Sequence, residues 1–121
     1  MDLNHLHLAV KDLEKSMNFY TKAFDFYEKA RFGPSLVFLK NNEGFDLALS
    51  LVDEVEQLPN HIHYGFSFKT KSELMDFYTK GQRVFSSNFV EAPSDKGGFV
   101  SFVCVDPDGY HIELYWDPNL S

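Results

Sequence analysis

The sequence predicts an α+β fold made of two βαβββ modules, and three observations predict it. First, NHLHLAV at residues 4–10 and NHIHYGF at residues 60–66 both alternate apolar with polar positions, as half-buried strands do. The two stretches carry histidines at one fixed offset, His5 and His63, 58 positions apart (63 − 5). Second, each stretch precedes a helical pattern, and Phe19-Tyr20-Thr21-Lys22 recurs at the same offset as Phe77-Tyr78-Thr79-Lys80. Third, each helix is followed by three β-rich segments punctuated by turns bearing Gly, Asn or Asp. Chance does not hold register across a strand, a cap and a helix. The chain therefore reads as one domain with module 1 over residues 1–57 and module 2 over residues 58–121.

In module 1 the first strand sets Leu6, Leu8 and Val10 on one face and His5, His7 and Ala9 on the other. Asp12 is placed to cap a helix whose apolar positions are Leu13, Met17, Tyr20 and Phe24. Strands are expected at residues 27–32, 35–40 and 45–51, separated by Gly33-Pro34 and by the turn Asn41-Asn42-Glu43-Gly44. The acidic segment at residues 53–56 reads as a solvated linker between modules.

In module 2, Thr70 with Glu73 forms a capping box at the start of the second helix. Strands are expected at residues 84–90, 99–105 and 110–116, with turns at residues 94–98 and 106–109. Each module introduces its last strand with a four-residue turn ending in glycine, Gly44 and Gly109. That offset is 65 (109 − 44), so the second copy carries seven extra residues ahead of its final hairpin. On this anchor Ala48 stands where module 2 has Glu113.

Composition limits the function classes. The chain has 121 residues, long enough for one hydrophobic core, and its 44% hydrophobic and 17% aromatic content is that of a folded protein. A formal charge of −7 with scattered bases disfavours nucleic acid and anionic membrane surfaces as partners. The single cysteine, Cys104, lies in the apolar run FVSFVCV and reads as a buried, inert thiol. With no membrane-length apolar stretch and no signal-type N-terminus, the expectation is a cytoplasmic protein.

The last strand, within DPDGYHIELYW, is where chemistry concentrates. Tyr110, Ile112, Leu114 and Trp116 form its core face, which leaves His111, Glu113 and Tyr115 opposite. A carboxylate on a partly enclosed face is costly unless solvated, paired or metal-bound. The repeat makes His5 and His63 equivalent, so two imidazoles and one carboxylate are candidates for a single metal site. Such a set leaves about three octahedral positions open, which suits Fe2+ or Mn2+, and zinc can also use it. Each residue has a plainer alternative: a hydrogen-bonded strand histidine for His5 or His63, and an acid on the wet face of a sheet for Glu113.

The stretches LNHLHLAVKDLEKSMNFY, HYGFSF and DPDGYHIELYW together resemble the vicinal oxygen chelate superfamily over essentially the whole chain. That superfamily includes glyoxalase I, extradiol ring-cleaving dioxygenases, fosfomycin-resistance enzymes and bleomycin-resistance proteins. The resemblance implies a cupped, mostly antiparallel sheet around one divalent ion per site, Fe2+, Mn2+, Zn2+ or Ni2+, held by His5, His63 and Glu113. It also implies a homodimer with sites shared between subunits, His5 from one and His63 with Glu113 from the other, or else pairing within one chain.

Departures from the family pattern narrow the chemistry. Glyoxalase I usually supplies a fourth ligand where this chain has Ala48. Fosfomycin-resistance enzymes commonly carry a small polar residue where His7 stands and a basic tail where this chain reads DPNLS. Bleomycin-resistance proteins keep the fold without the metal, and the three intact candidate ligands here count against that reading. The expected function is therefore a metal-dependent enzyme whose small substrate chelates the ion through adjacent oxygens. Extradiol-dioxygenase-like or glyoxalase-like lyase/isomerase chemistry is expected, with a fosfomycin-resistance-like thiol transferase or a metal-free ligand-binding protein as alternatives. His7, Tyr115 and Tyr64 are the candidate catalytic residues, each with a packing role as its alternative. The segment at residues 94–98 is either a mobile lid or an ordinary hairpin turn.

Overall fold

Alternation of apolar residues and the placement of caps and turns carry through into the computed structural model, which describes residues 1–59 and 61–119. The chain divides into two compact units, Met1–Glu56 and Gln57–Ser121. The first contains β1 (His5–Val10), α1 (Leu13–Phe24), β2 (Tyr27–Phe32), β3 (Leu36–Lys40) and β4 (Asp46–Leu51). The second contains β5 (Tyr64–Ser67), α2 (Lys71–Phe85), β6 (Ser94–Asp95), β7 (Val100–Val105) and β8 (His111–Trp116). Each unit folds its strands into a four-stranded mixed sheet, in the orders β1-β4-β3-β2 and β5-β8-β7-β6. The first and last strands of each unit run parallel and the remaining pairs antiparallel.

Local chemistry sets the helix ends. The Asp12 carboxylate accepts the Lys15 amide at 3.0 Å and the Thr70 hydroxyl accepts the Glu73 amide at 3.1 Å, so both predicted caps are made. At the end of α1, Asp25 takes a left-handed conformation (φ 58°) and the Phe26 amide reaches back to the Tyr20 carbonyl, closing the helix. α1 buries Leu13, Ser16, Phe19 and Tyr20 and packs on β4 and β3, whose Leu47, Leu49, Val37 and Leu39 are buried. Met17 and Phe24 flank that stripe, half-buried. In the second unit α2 packs on β8, and Leu74, Phe102, Ile112 and Leu114 are fully buried. Enclosing each of these side chains contributes about 1.5–3 kcal/mol.

One predicted element differs. Residues 84–90 are not a strand: α2 runs to Phe85, a single 3₁₀ turn follows at Ser86–Asn88, and only Phe89 makes an isolated bridge, to Cys104. The reason is helical spacing. Leu74, Tyr78, Gly81 and Phe85 continue one inward stripe for a further turn, which outweighs the β preference of Val84 and Phe85. The strand that completes the sheet is the two-residue β6, inside the segment predicted as a turn. The predicted strand at residues 60–66 begins only at Tyr64, because the Ile62 amide bonds the Pro59 carbonyl in a turn; its first residue, Asn60, lies outside the described residues. So do Leu120 and Ser121 of the DPNLS end.

The register of the two units repeats residue for residue. Leu6 opposes Leu47 as Tyr64 opposes Ile112, and His7 opposes Ala48 as Gly65 opposes Glu113. In the antiparallel pairs Leu36 opposes Ser50 as Ser101 opposes Tyr115. Thus the first strands correspond at an offset of 58 and the last two at 65, and Ala48 occupies the place of Glu113.

Candidate metal centre

The turn before β8 is what presents Glu113. Asp106, 2% exposed, accepts the amides of Asp108 and Tyr110 at 2.9 Å each on one carboxylate oxygen, while its carbonyl accepts the Gly109 amide at 3.0 Å. Gly109 has a φ of 89°, a left-handed conformation that a side chain disfavours. The first unit builds the same turn with Asn41, whose side chain accepts the Phe45 amide at 2.8 Å. From this turn β8 alternates Ile112 and Leu114 into the core with His111, Glu113 and Tyr115 on the opposite face.

His63 sits immediately before β5, and its Nε2 lies 3.3 Å from Glu113 Oε1. That separation is long for a charge-assisted hydrogen bond, which is about 2.7–2.9 Å. It matches the spacing of two donors on one ion: metal–ligand distances of about 2.1 Å at adjacent coordination positions put the donors roughly 3.0–3.5 Å apart. An imidazole nitrogen and a carboxylate oxygen also form a donor set common to Fe2+, Mn2+ and Zn2+. Gly65 makes room for this arrangement. A Cβ there would stand 2.5 Å from the Glu113 carbonyl oxygen, so β5 approaches β8 closely only because residue 65 has no side chain.

A concavity of about 330 Å³ opens at this pair, lined by His63, Glu91, Lys96, Phe99, Ser101, Val103, His111 and Glu113. Its volume is at the small end of ligand sites, which run from about 300 to 1,000 Å³. Phe99 and Val103 give it apolar walls and Ser101 a hydroxyl, so it suits a small organic molecule held near the pair.

The first unit places its own histidines on the sheet face away from α1. His5 Nδ1 lies 2.9 Å from Asn4 Oδ1, an oxygen that only accepts, so in this contact Nδ1 is the donor and Nε2 is the ring nitrogen left to face a metal. His7 Nε2 contacts Ser50 Oγ at 2.6 Å. Nearby, burial tends to raise the Asp46 carboxyl, but hydrogen bonding and charge from Lys29 and charge from Lys40 prevail and hold it below the ordinary carboxylate range.

Among the described residues no group of three or more His, Cys, Asp or Glu side chains forms a metal cage; the second unit brings together two of the predicted ligands, His63 and Glu113. Tyr115 shares the Glu113 face, two residues along β8. Tyr64 does not: it opposes buried Ile112 and so shares the helix-bearing face. His111, on the Glu113 face, is exposed and lines the concavity. Sequence reasoning passed over Glu91, Lys96, Phe99 and Ser101, which only the pairing of β6, β7 and β8 gathers around Glu113. It also passed over Gly65, for which a glycine inside a strand pattern was an available signal.

The fold is shared with known proteins. The chain is 29% identical over 117 residues to the glutathione transferase FosA of Serratia marcescens, covering 93% of this chain and 79% of that protein. A possible glyoxalase from Bacillus cereus superposes with a TM-score of 0.77 at 27% identity, covering 94% of this chain and 97% of the other. The fosfomycin resistance protein FosX of Listeria monocytogenes has the same TM-score, 0.77, at 23% identity over 96% of this chain and 93% of its own, a likeness of fold. With its family model matched over residues 2–114, the chain belongs to the Glyoxalase/Bleomycin resistance protein/Dioxygenase superfamily.

Proposed function

We propose that the protein is a metal-dependent enzyme acting on a small molecule that chelates one divalent ion through adjacent oxygens, with His5, His63 and Glu113 as the ligands. The observation that carries this reading is the His63–Glu113 pair, two donors 3.3 Å apart at a concavity of about 330 Å³. His5 joins the set as the counterpart of His63 under the repeat, and its Asn4-held Nδ1 leaves Nε2 able to bind metal. The reading includes a homodimer in which His5 of one copy completes the site of the other, and a cytoplasmic location.

A divalent ion bound there supplies Lewis acidity toward substrate oxygens. The chain's own residues do the rest. Glu113 and the two imidazoles orient the ion, Phe99 and Val103 exclude water from one side of the substrate, and Ser101 offers it a hydrogen bond. His7, hydrogen-bonded to Ser50, and Tyr115, on the Glu113 face, are the candidates for proton handling. The reactions this set serves are ring-cleaving oxygenation and glyoxalase-like proton transfer. A second reading, thiol transfer to an electrophilic substrate, is favoured by one observation, the 29% identity to a glutathione transferase.

Elemental analysis of protein loaded with Fe2+, Mn2+ or Zn2+ tests the proposal. One ion per site is expected, falling at least about tenfold in His63→Ala and in Glu113→Ala, since losing one of three ligands costs well over one order of affinity. No stoichiometric metal in the native protein under any loading condition sinks the enzyme reading. With metal bound, oxygen uptake with catechols, isomerisation of hemithioacetals and glutathione addition to epoxides separate the three chemistries.

A further inference from the structure

His5-Leu6-His7 puts two imidazoles on one face of β1, and only the first is a proposed ligand. Their neighbours hold them by opposite nitrogens. His5 meets Asn4 Oδ1 through Nδ1 at 2.9 Å, whereas His7 meets Ser50 Oγ through Nε2 at 2.6 Å. The second contact is the shorter and joins residues 43 positions apart. Strand pairing makes it: β1 runs parallel to β4 with His7 opposite Ala48 and Ala9 opposite Ser50, so the imidazole reaches the hydroxyl on the diagonal.

Which group donates follows from the surroundings of the hydroxyl. Ser50 is half-buried, and the residues opposite it on the two neighbouring strands are Ala9 and Leu36, neither with a side-chain acceptor. Among the described residues the hydroxyl has one hydrogen-bond partner, His7. Were His7 to donate, the hydroxyl hydrogen would be left among aliphatic side chains with no acceptor, the costly arrangement for a half-buried polar group. With Ser50 donating, that hydrogen is used and Nε2 accepts it. The proton of the neutral ring then sits on Nδ1, and because His7 is exposed this N–H is open to a ligand.

We propose that Ser50 is a positioning residue, whose hydroxyl donates to His7 Nε2 and thereby presents His7 Nδ1–H as a hydrogen-bond donor to a substrate oxygen. The two histidines of β1 then share one tautomer with opposite nitrogens available. His5 keeps a lone pair for the ion, and His7, roughly 7 Å along the strand, shows a proton and is not a further ligand. This rests on the metal reading for the substrate that the donor meets, whereas the tautomer that Ser50 sets does not depend on it.

The test uses the isotope-labelled full chain, in which long-range proton–nitrogen spectra of the imidazoles report each tautomer, with zinc content measured in every sample. His7 is expected to be protonated at Nδ1 in the native protein, to become a mixture of tautomers in Ser50→Ala, and to regain the native pattern in Ser50→Thr. Zinc is expected to shift Nε2 of His5 and to leave Nε2 of His7 in place. Acetohydroxamate, a chelator with adjacent oxygens, is expected to bind the zinc-loaded Ser50→Ala protein about threefold more weakly than the native protein or Ser50→Thr, at unchanged zinc content, the scale of one modest hydrogen bond. His7 protonated at Nε2, a tautomer indifferent to Ser50→Ala, or zinc carried on His7 overturns the proposal and leaves His63 and Glu113 standing as ligands. Equal chelator affinity in the zinc-loaded native and Ser50→Ala proteins also overturns it. A Ser50-dependent Nδ1 tautomer in a protein that binds no zinc upholds the positioning role and overturns the metal reading instead.

Discussion

Burial keeps the Cys104 thiol neutral. It is 1% exposed on β7, and desolvation, reinforced by the negative charge of Asp106, pushes it from its ordinary 9.0 up to about 12. A thiol is reactive only as thiolate, so a disulfide reagent at pH 8 meets about a thousandfold less thiolate in the native protein than in the unfolded chain. Slow labelling that becomes stoichiometric in denaturant is the expected outcome; rapid native labelling contradicts it. The same shift makes stability depend on pH. The folded state favours the protonated thiol, so its contribution is complete below about 9 and is lost as pH rises toward about 12. Reading Cys104 as inert needed no structure, because a lone cysteine in FVSFVCV has apolar neighbours on both sides. His7 was illegible for the opposite reason: its partner, Ser50, stands 43 positions away and reaches it only through the pairing of β1 with β4.

At the scale of elements, α2 depends on one glycine in a way its composition conceals. Alanine in place of a mid-helix glycine ordinarily stabilises by about 1 kcal/mol. At Gly81 a Cβ would collide with Phe89 Cζ and stand 3.0 Å from Cε2. The Phe89 ring has little room to yield, stacked on Tyr78 at 5.6 Å and set edge-on to Phe102 at 5.3 Å. Overpacking at such a contact costs about 1–3 kcal/mol, which exceeds the gain in propensity. Gly81→Ala is therefore expected to lower the urea midpoint, and a raised midpoint would contradict the packing argument. Phe89 also marks where reading by element fell short. Its aromatic, β-branched neighbourhood predicted a strand over residues 84–90, yet the inward stripe of α2 carried the helix to Phe85. Local preference and helical period compete there, and tertiary packing on Phe102 decides.

At the scale of the molecule, duplication with one asymmetry is the organising fact. Both units repeat their turns, caps and strand register, but Glu113 has Ala48 as its counterpart, and Gly65 has His7. Under the proposed function the units thus contribute unequally, one imidazole from the first and an imidazole with a carboxylate from the second. Metal binding should then stabilise the folded protein by about 2.7 kcal/mol when free metal is a hundred times its dissociation constant. His5→Ala and Glu113→Ala should each remove the metal-dependent rise in melting temperature, although the two residues belong to different units. A full rise retained in His5→Ala would exclude the first unit from the site.

The sequence by itself determined the two βαβββ modules, the caps at Asp12 and Thr70, the turns ending at Gly44 and Gly109, and the family. It could do so because period, caps and turns are written in neighbouring residues, and a repeat reports its own register. The structure decided which side chains meet across the sheets: His63 stands 3.3 Å from Glu113, a pair the sequence offered only as candidates for one site, and His7 meets Ser50. Contacts between strands far apart in the chain follow from pairing and from the close approach that Gly65 permits. No local pattern encodes them.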